Sequence, residues 1–288
     1  MHIALVTGSE NPELYTDDLP LKSYLESRGV VTSVVIWNDS EIDWKKYDWV
    51  VIRSIWDYIK DIDVFSAWLD FLRSHHIKVL NPISVMEWNK QKHYLIELAD
   101  RGILIPPTIH IKKNTKIDLQ HEIDKVSWDK AVIKPTISVG AIRTWILTKE
   151  NADTLQPDVD LLLSEQDIFI QKFAEEIKSQ GEISVVYFNK KYSHAVLKRP
   201  KENDFRVQFQ YGGTYEKYFP ADSLLQSLET ILSKIKAELL YARIDGYINR
   251  EGLFCLMEIE LIEPVLFVSS DQDAPQNFYT ALLEIISG

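Results

Sequence analysis

Glu258 and Glu260 stand two residues apart in Met257-Glu258-Ile259-Glu260-Leu261. Alternate residues of a β-strand share a face, so the two carboxylates project together, with Met257, Ile259 and Leu261 on the other side. The run before it, Ala242 to Ile248, is joined to it by the turn Asn249-Arg250-Glu251-Gly252. A turn of that length puts Ile248 opposite Leu253, hence Arg243 opposite Glu258 and Asp245 opposite Leu256. In that register Asp245, Arg243, Glu258 and Glu260 cluster, and a slip of one residue would undo it. Clustered carboxylates repel unless a cation neutralises them, and hard oxygen ligands suit Mg²⁺ or Mn²⁺. A solvated strand face with Arg243 as ion-pair partner is the alternative.

Separated cations form a second set. Lys134 ends the run Ala131-Val132-Ile133 and precedes Pro135 and the small, hydroxylic stretch Thr136 to Ala141, which includes Ser138 and Gly140. Backbone N–H groups of such a loop can hold phosphate oxygens. Lys92 falls on an expected helix after Asn89, Lys198 and Arg199 end a strand, and Arg206 sits on the next one. Singly these are surface charges. With a carboxylate metal site they become a candidate phosphate cleft. Neither a Walker A pattern nor a dinucleotide Gly-x-Gly-x-x-Gly is present, so a nucleotide would be held by other means.

The elements that must position these groups change character along the chain. Up to Leu80, short apolar runs (Ile3 to Val6, Val34 to Trp37, Trp49 to Ile52, Lys78 to Leu80) alternate with helical spacing over Leu19 to Arg28 and Val64 to His75. That alternation predicts βαβ units and a parallel sheet, with ligands beyond the strand C-termini. Next come a helix over Asn89 to Arg101 and apolar segments at 130–134, 143–148 and 167–173. Strands dominate from Glu182: a hairpin of Ile183 to Phe188 with Tyr192 to Leu197, a strand over Phe205 to Gln210, a long helix over Leu224 to Leu240, the 242–260 hairpin and a final helix. His194 on a strand reads as structural.

Composition bounds the function. The chain has 288 residues, 45% hydrophobic and 26% charged, the mix of a globular protein of about two domains. A net charge of −11 speaks against nucleic acid as partner. The single cysteine, Cys255 in an apolar run, excludes a Cys-based zinc site. No apolar run reaches the roughly 18 residues of a membrane span, and the first residues read as a strand rather than a signal, so the expected location is the cytoplasm, away from membranes.

In order and spacing, these motifs resemble the ATP-grasp superfamily over essentially the whole chain. The resemblance implies an α/β plus α+β fold: a Rossmann-like domain at 1–81 and two α+β subdomains, 82–170 and 171–288, clasping ATP. Ile133-Lys134-Pro135 with its Ser/Gly loop is similar to the strand lysine and flexible loop over the phosphates. Asn89 to Leu95 is similar to the other lysine segment, with Lys92 preferred over Lys90. Ile168-Phe169-Ile170-Gln171-Lys172-Phe173 resembles the hinge whose backbone meets adenine; Glu176, or its neighbour Glu175, would meet the ribose. Gly181-Glu182, Lys198, Phe205-Arg206 and Tyr211-Gly212-Gly213 resemble the glutathione-synthetase branch, where the basic residues meet phosphate and acyl group. Arg243-Ile244-Asp245 and Glu258-Ile259-Glu260 resemble the metal strands, although Asn is usual where Glu260 stands.

A narrower resemblance is carried by Ile52-Arg53-Ser54-Ile55-Trp56-Asp57-Tyr58, Trp88 to Leu95, and Glu258 to Phe267. It points to the ATP-grasp group containing the O-ureido-serine cyclase of cycloserine biosynthesis. Arg53 and Ser54 end a strand, where a guanidinium could bind a substrate carboxylate; an ion pair with Asp57 or Asp61 is the structural alternative. Together these imply a Mg-ATP-dependent ligase or cyclase acting on a small amino-acid-like substrate through an acylphosphate. Asp245, Glu258 and Glu260 would hold metal, Lys92 and Lys134 would hold phosphate, and Lys198 and Arg206 would stabilise the transferring group. Relatives of this kind are often dimers. A non-catalytic nucleotide module and a nucleotide-independent metal hydrolase are the competing classes.

Overall fold

The computed structural model describes residues 1–202 and 204–287. The first runs form β1 (His2–Thr7), α1 (Leu19–Ser27), β2 (Val31–Ile36), β3 (Trp49–Ser54), α2 (Ile62–Ser74) and β4 (Val79–Leu80). The strands make a parallel sheet in the order β2-β1-β3-β4. Both of its faces are buried, which explains why β1 and β3 read as continuous apolar runs. Ile3, Leu5 and Val51 face α1 and the last helix through Leu21, Leu25, Phe278 and Leu282. Ala4, Val6, Val50 and Ile52 face α2 through Phe65, Trp68, Leu69 and Leu72.

The chain continues through α3 (Ile83–Asn89), α4 (Tyr94–Asp100), β5 (Thr108–Ile111), α5 (Leu119–Lys125), β6 (Ala131–Pro135), β7 (Trp145–Leu147), α6 (Ala152–Glu165) and β8 (Ile168–Lys172). Its second sheet is antiparallel, in the order β5-β8-β6-β7. Then come α7 (Glu175–Gln180), β9 (Glu182–Phe188), β10 (Lys191–Arg199), β11 (Thr214–Tyr218), α8 (Asp222–Ser233), β12 (Tyr241–Ile248), β13 (Phe254–Glu260) and α9 (Ala274–Ser287). The third sheet is antiparallel, in the order β11-β10-β9-β12-β13. One parallel sheet followed by two antiparallel sheets is the α/β plus α+β arrangement that the resemblance implied. The expected division at 170/171 falls inside β8, which belongs wholly to the second sheet.

Four local expectations change. The helix expected over Asn89 to Arg101 begins only at Tyr94, as α4; Asn89 is the last residue of α3, and Lys92 lies in the turn between the two. Asn89 explains the break: its side chain donates to Ile259 O (2.8 Å) and accepts from Leu261 N (2.9 Å), substituting for a strand neighbour along β13. Phe205 to Gln210 is no strand. Asp204 Oδ1 accepts the N–H groups of Phe205 (2.7 Å) and Arg206 (3.0 Å), turning the chain, so Arg206 lies on a loop. β11 went unread because its TYEKY is an exposed edge with no apolar alternation. The helix expected to reach Leu240 stops at Ser233, since Leu239 and Leu240 must enter two different cores ahead of β12.

The metal-strand hairpin also differs in register. Ile248 pairs with Phe254 and Gly246 with Leu256, but Asp245 pairs with Glu258 and Arg243 with Glu260. A bulge at Met257 absorbs the extra residue. It turns Met257 to the side of Cys255 and Tyr247, whereas Leu256, Ile259 and Leu261 enter the opposite core. Met257 therefore does not share a face with Ile259 as the alternation suggested. A Cβ on Gly246 would lie 2.4 Å from Cys255 O, so this bulge needs glycine opposite it.

Candidate active site

The charged groups of the third sheet lie on one face because their strands pair in step. Lys198 is opposite Glu182, Ser184 is opposite Asp245, and Asp245 is opposite Glu258. The result is a ladder of alternating charge. Lys198 Nζ meets Glu182 (2.5 Å) and Asp245 (3.3 Å). Arg243 donates to Asp245 through Nε (3.0 Å) and Nη2 (2.8 Å), and also to Glu260. Ser184 Oγ donates to Asp245 Oδ1 at 2.6 Å. Both Asp245 oxygens are thus engaged by the protein. Among the described residues Asp245, Glu258 and Glu260 do not converge on a single point, so the expected carboxylate trio is present on one face but not preassembled.

Glu258 and Glu260 remain half-buried, and Glu258 is reached from outside the sheet by Lys92 at 2.9 Å. Lys92 is held by its own backbone, with Lys92 N donating to Thr136 O (2.8 Å), and its Nζ also donates to Ser138 O (2.8 Å). Lys90, by contrast, points to Ser66 Oγ (2.9 Å) on α2. The geometry therefore separates the two lysines that the sequence left side by side.

Lys134 projects from β6, and among the described residues it forms no ion pair. Loss of solvent pulls its pKa down to about 8, with Glu258 opposing and Lys92 reinforcing. Glu260 is pushed up to about 8 by loss of solvent, partly offset by Arg243 and reinforced by Glu258 and Asp245. Glu263, buried beside Tyr58, Lys92 and Glu258, is pushed up to about 7 by burial. Burial pulls Lys198 down, but Asp245 and Glu182 outweigh it and raise its pKa. Two charge defects thus face one another: an under-solvated ammonium and carboxylates that resist ionisation. A phosphate fits the first and a divalent cation the second.

Two loops meet over this face. Gln210 Nε2 donates to Gly140 O at 3.1 Å, joining the 136–141 segment to the 205–213 segment. Gly140 has φ +61°, and a Cβ there would lie 2.7 Å from Gln210 Nε2. Arg206 is held to Asp204 (2.9 Å) and stacks on Tyr211, 3.7 Å from the ring centre. Gly212 adopts φ +81°, and a Cβ on Gly213 would lie 2.1 Å from Val207 O, so both glycines shape this loop.

In the segment that the resemblance reads as the hinge, Gln171 is buried and donates to Thr108 Oγ1 at 2.8 Å. Lys172 N and Phe173 N donate to Pro107 O (2.8 Å) and Lys130 O (3.1 Å). The Ala174 N–H has no backbone acceptor among the described residues. Glu175 pairs with Lys130 (3.1 Å) and Glu176 with Arg250 (3.3 Å).

Arg53 does not stand open at the strand end. It is 1% exposed, pairs with Asp18 (3.0 Å) rather than Asp57 or Asp61, and donates to Pro264 O (2.7 Å). Ser54 Oγ is bonded to Thr7 Oγ1 (2.9 Å) and Tyr15 N (3.2 Å). His194 is buried against Leu266 O (2.7 Å), a structural position. The sequence reading missed Ser184, Glu263 and Gln210. Only Ser184 carried a local signal, being two residues from Glu182 on one strand.

Residues 3–81 match the family model described as the N-terminal domain of D-cycloserine synthetase DcsG. Over 98% of both chains the sequence is 25% identical to the cycloserine biosynthesis protein DcsG of Streptomyces lavendulae. The crystal structure of D-cycloserine synthetase DcsG superposes with a TM-score of 0.88 at 22% identity, covering 99% of this chain and 100% of that one. D-alanine–D-alanine ligase from Bacillus anthracis, complexed with ATP, superposes at 0.71 with 16% identity, over 99% and 96% of the chains. The ATP-grasp ligase PsnB, with Mg and ADP, superposes at 0.67 with 14% identity over 98% of each chain.

Proposed function

We propose that the chain, which shares the ATP-grasp fold and resembles D-cycloserine synthetase DcsG along its whole length, is an ADP-forming ligase that activates the carboxyl group of a small amino-acid-like substrate and joins it to a nitrogen nucleophile, of the same molecule or a second one. The observation that carries this reading is the approach of Lys92 and Lys134, from the second structural unit, to Glu258 on the face of the third sheet. Cations for phosphate and carboxylates for metal face each other across one gap, as phosphoryl transfer requires.

Glu258 and Glu260, with Asp245 after exchange of a protein partner, would hold Mg²⁺, which when bound neutralises phosphate charge. Lys134 and Lys92 bind phosphate oxygens; an anion beside Lys134 restores the solvation its ammonium lacks. Gln171, Lys172 and Phe173 would shape an adenine hinge, and Glu176 would meet the ribose on exchanging Arg250. Glu182 keeps Lys198 charged and oriented along the ladder. Lys198, now paired with Glu182 and Asp245, and Arg206, now paired with Asp204, would stabilise the transferring phosphoryl group and the later tetrahedral oxyanion.

The substrate carboxylate oxygen attacks the γ-phosphorus and ADP leaves. The nitrogen then attacks the acylphosphate carbon, phosphate departs, and the nitrogen loses a proton. The Ser138–Gly140 and Arg206–Gly213 loops, joined by Gln210, keep water from the activated acyl group. Arg53 anchors the turn at Pro264, so substrate recognition falls more to the loop shaped by Gly212 and Gly213.

The test is ADP release in the presence of amino acids, hydroxy acids and their ureido or aminooxy derivatives, beside Glu258→Gln. Stimulation by one such compound, falling at least about 100-fold in the variant, is expected. Nucleotide binding with no ADP release from any of them would favour a non-catalytic module. Unchanged turnover in the variant would remove the metal assignment.

A further inference from the structure

A second cluster of ligating side chains lies apart from the carboxylates of the third sheet. His93 caps the start of α4, His110 sits on β5, and Asp167 directly precedes β8. Their ends meet in a triangle: His93 Nε2 to His110 Nε2 is 3.0 Å, His110 Nε2 to Asp167 Oδ2 is 2.7 Å, and His93 Nε2 to Asp167 Oδ2 is 3.1 Å. All three side chains are half-buried.

Hydrogen bonding alone cannot satisfy this triangle. If both Nε2 atoms carry protons, both donate to Asp167, but two N–H groups then oppose each other at 3.0 Å. If only one does, the bare lone pair of the other faces the carboxylate oxygen. A cation shared by the three atoms resolves either conflict. Ligand atoms about 2.1 Å from a metal lie about 3.0 Å apart at adjacent octahedral positions and about 3.4 Å apart at tetrahedral ones, so the three atoms need to spread by only a few tenths of an ångström to hold either geometry.

The supporting residues hold the ligands in place. Asp167 Oδ1 accepts Lys113 N at 2.8 Å, which orients Oδ2 toward the histidines. Phe169 packs against both imidazoles.

We propose that His93, His110 and Asp167 bind one divalent transition-metal ion of the imidazole-preferring kind, such as Zn²⁺, Co²⁺ or Ni²⁺, and not Mg²⁺. Its role is mechanical. Asp167 O accepts both Thr136 N (3.1 Å) and Thr136 Oγ1 (3.2 Å), and Thr136 O accepts Lys92 N (2.8 Å). A metal here would pin α4, β5 and the root of the 136–141 loop into one unit next to Lys92.

The experiment uses the full chain stripped by chelator, titrated with Zn²⁺ and Co²⁺ in excess Mg²⁺, with calorimetry and thermal unfolding as readouts. One tight equivalent and a rise in Tm are expected in the original chain and in Glu258→Gln. His93→Gln/His110→Gln should weaken binding by at least about 100-fold, more than the loss of an outer-shell partner costs, and abolish the Tm rise. Should that variant prove unstable, the Co²⁺ absorption spectrum and the histidine ring proton shifts of the unaltered chain decide. Two metal-shifted imidazoles support the site, and none overturns it. Tight binding that survives the double substitution, or disappears in Glu258→Gln, also overturns it.

Discussion

Replacing Lys134 with methionine should strengthen the free fold while destroying its ligand response. The ammonium is held in a cleft that under-solvates it, and its pKa falls from 10.5 to about 8. That fall corresponds to roughly 3 kcal/mol of penalty at neutral pH. The side chain is half-buried, so residual solvent screening reduces the figure to about 1–2 kcal/mol. The sign follows from proton linkage. Between about 8 and 10.5 the unfolded chain binds the proton more tightly than the folded one, so the penalty is complete below about 8 and vanishes as pH rises to 10.5.

Lys134→Met keeps the length of the stem and removes the charge. Urea unfolding at pH 7 should show the variant about 1–2 kcal/mol more stable without nucleotide, with the advantage shrinking by pH 10. Saturating Mg-ADP at 100 times its Kd should stabilise the original chain by about 2.7 kcal/mol, and the variant far less. A folded variant that is less stable at pH 7, or that keeps the full nucleotide response, would refute the argument that this lysine trades stability for phosphate binding.

Raised carboxyls oppose folding once ionised, so the contribution of Glu260 to stability is lost as pH climbs from 4.5 toward 8. Mg²⁺ binding to the ADP-bound protein should accordingly tighten between pH 6 and 8, and in Glu260→Gln this dependence, followed by calorimetry, should flatten. Arg53→Met leaves Asp18 charged and buried, and should cost about 3–5 kcal/mol in urea unfolding, with Asp18→Asn on the same chain recovering part of it. Gln210→Ala removes the bond between the two loops. It should weaken nucleotide affinity by about fivefold, the worth of one hydrogen bond, while leaving Tm within a degree or two; equal affinity would show that the loops close by other contacts.

Much of the architecture was legible because it rests on local pattern. Short apolar runs alternating with helical spacing specified the first sheet, and β1 and β3 read as continuous runs since both their faces are covered. The Asn189-Lys190 turn, with both φ angles positive, was legible from its polar residues between two apolar runs. Lys134 before Pro135 and Glu258-Ile259-Glu260 were equally plain, since a strand's period of two puts its functional residues on one face. The order of these motifs along the chain carried the superfamily resemblance.

What only the tertiary structure decided are matters that depend on residues far apart in the chain. Asn89 ends α3 because Ile259 and Leu261 need its amide, so no local signal could mark the break that frees Lys92 to reach Glu258. The bulge at Met257 arises from pairing with Asp245 and Gly246, and it turns Met257 out of the face that alternation assigned to it. Arg53 finds Asp18 and Pro264 in segments on either side of it in sequence, and so becomes an anchor. His93, His110 and Asp167 are scattered over 75 positions and look unremarkable until β5 and β8 pair. Periodicity determines which way a side chain points within its own element. Which partner it meets there depends on how the sheets are stacked, and that is a property of the whole chain.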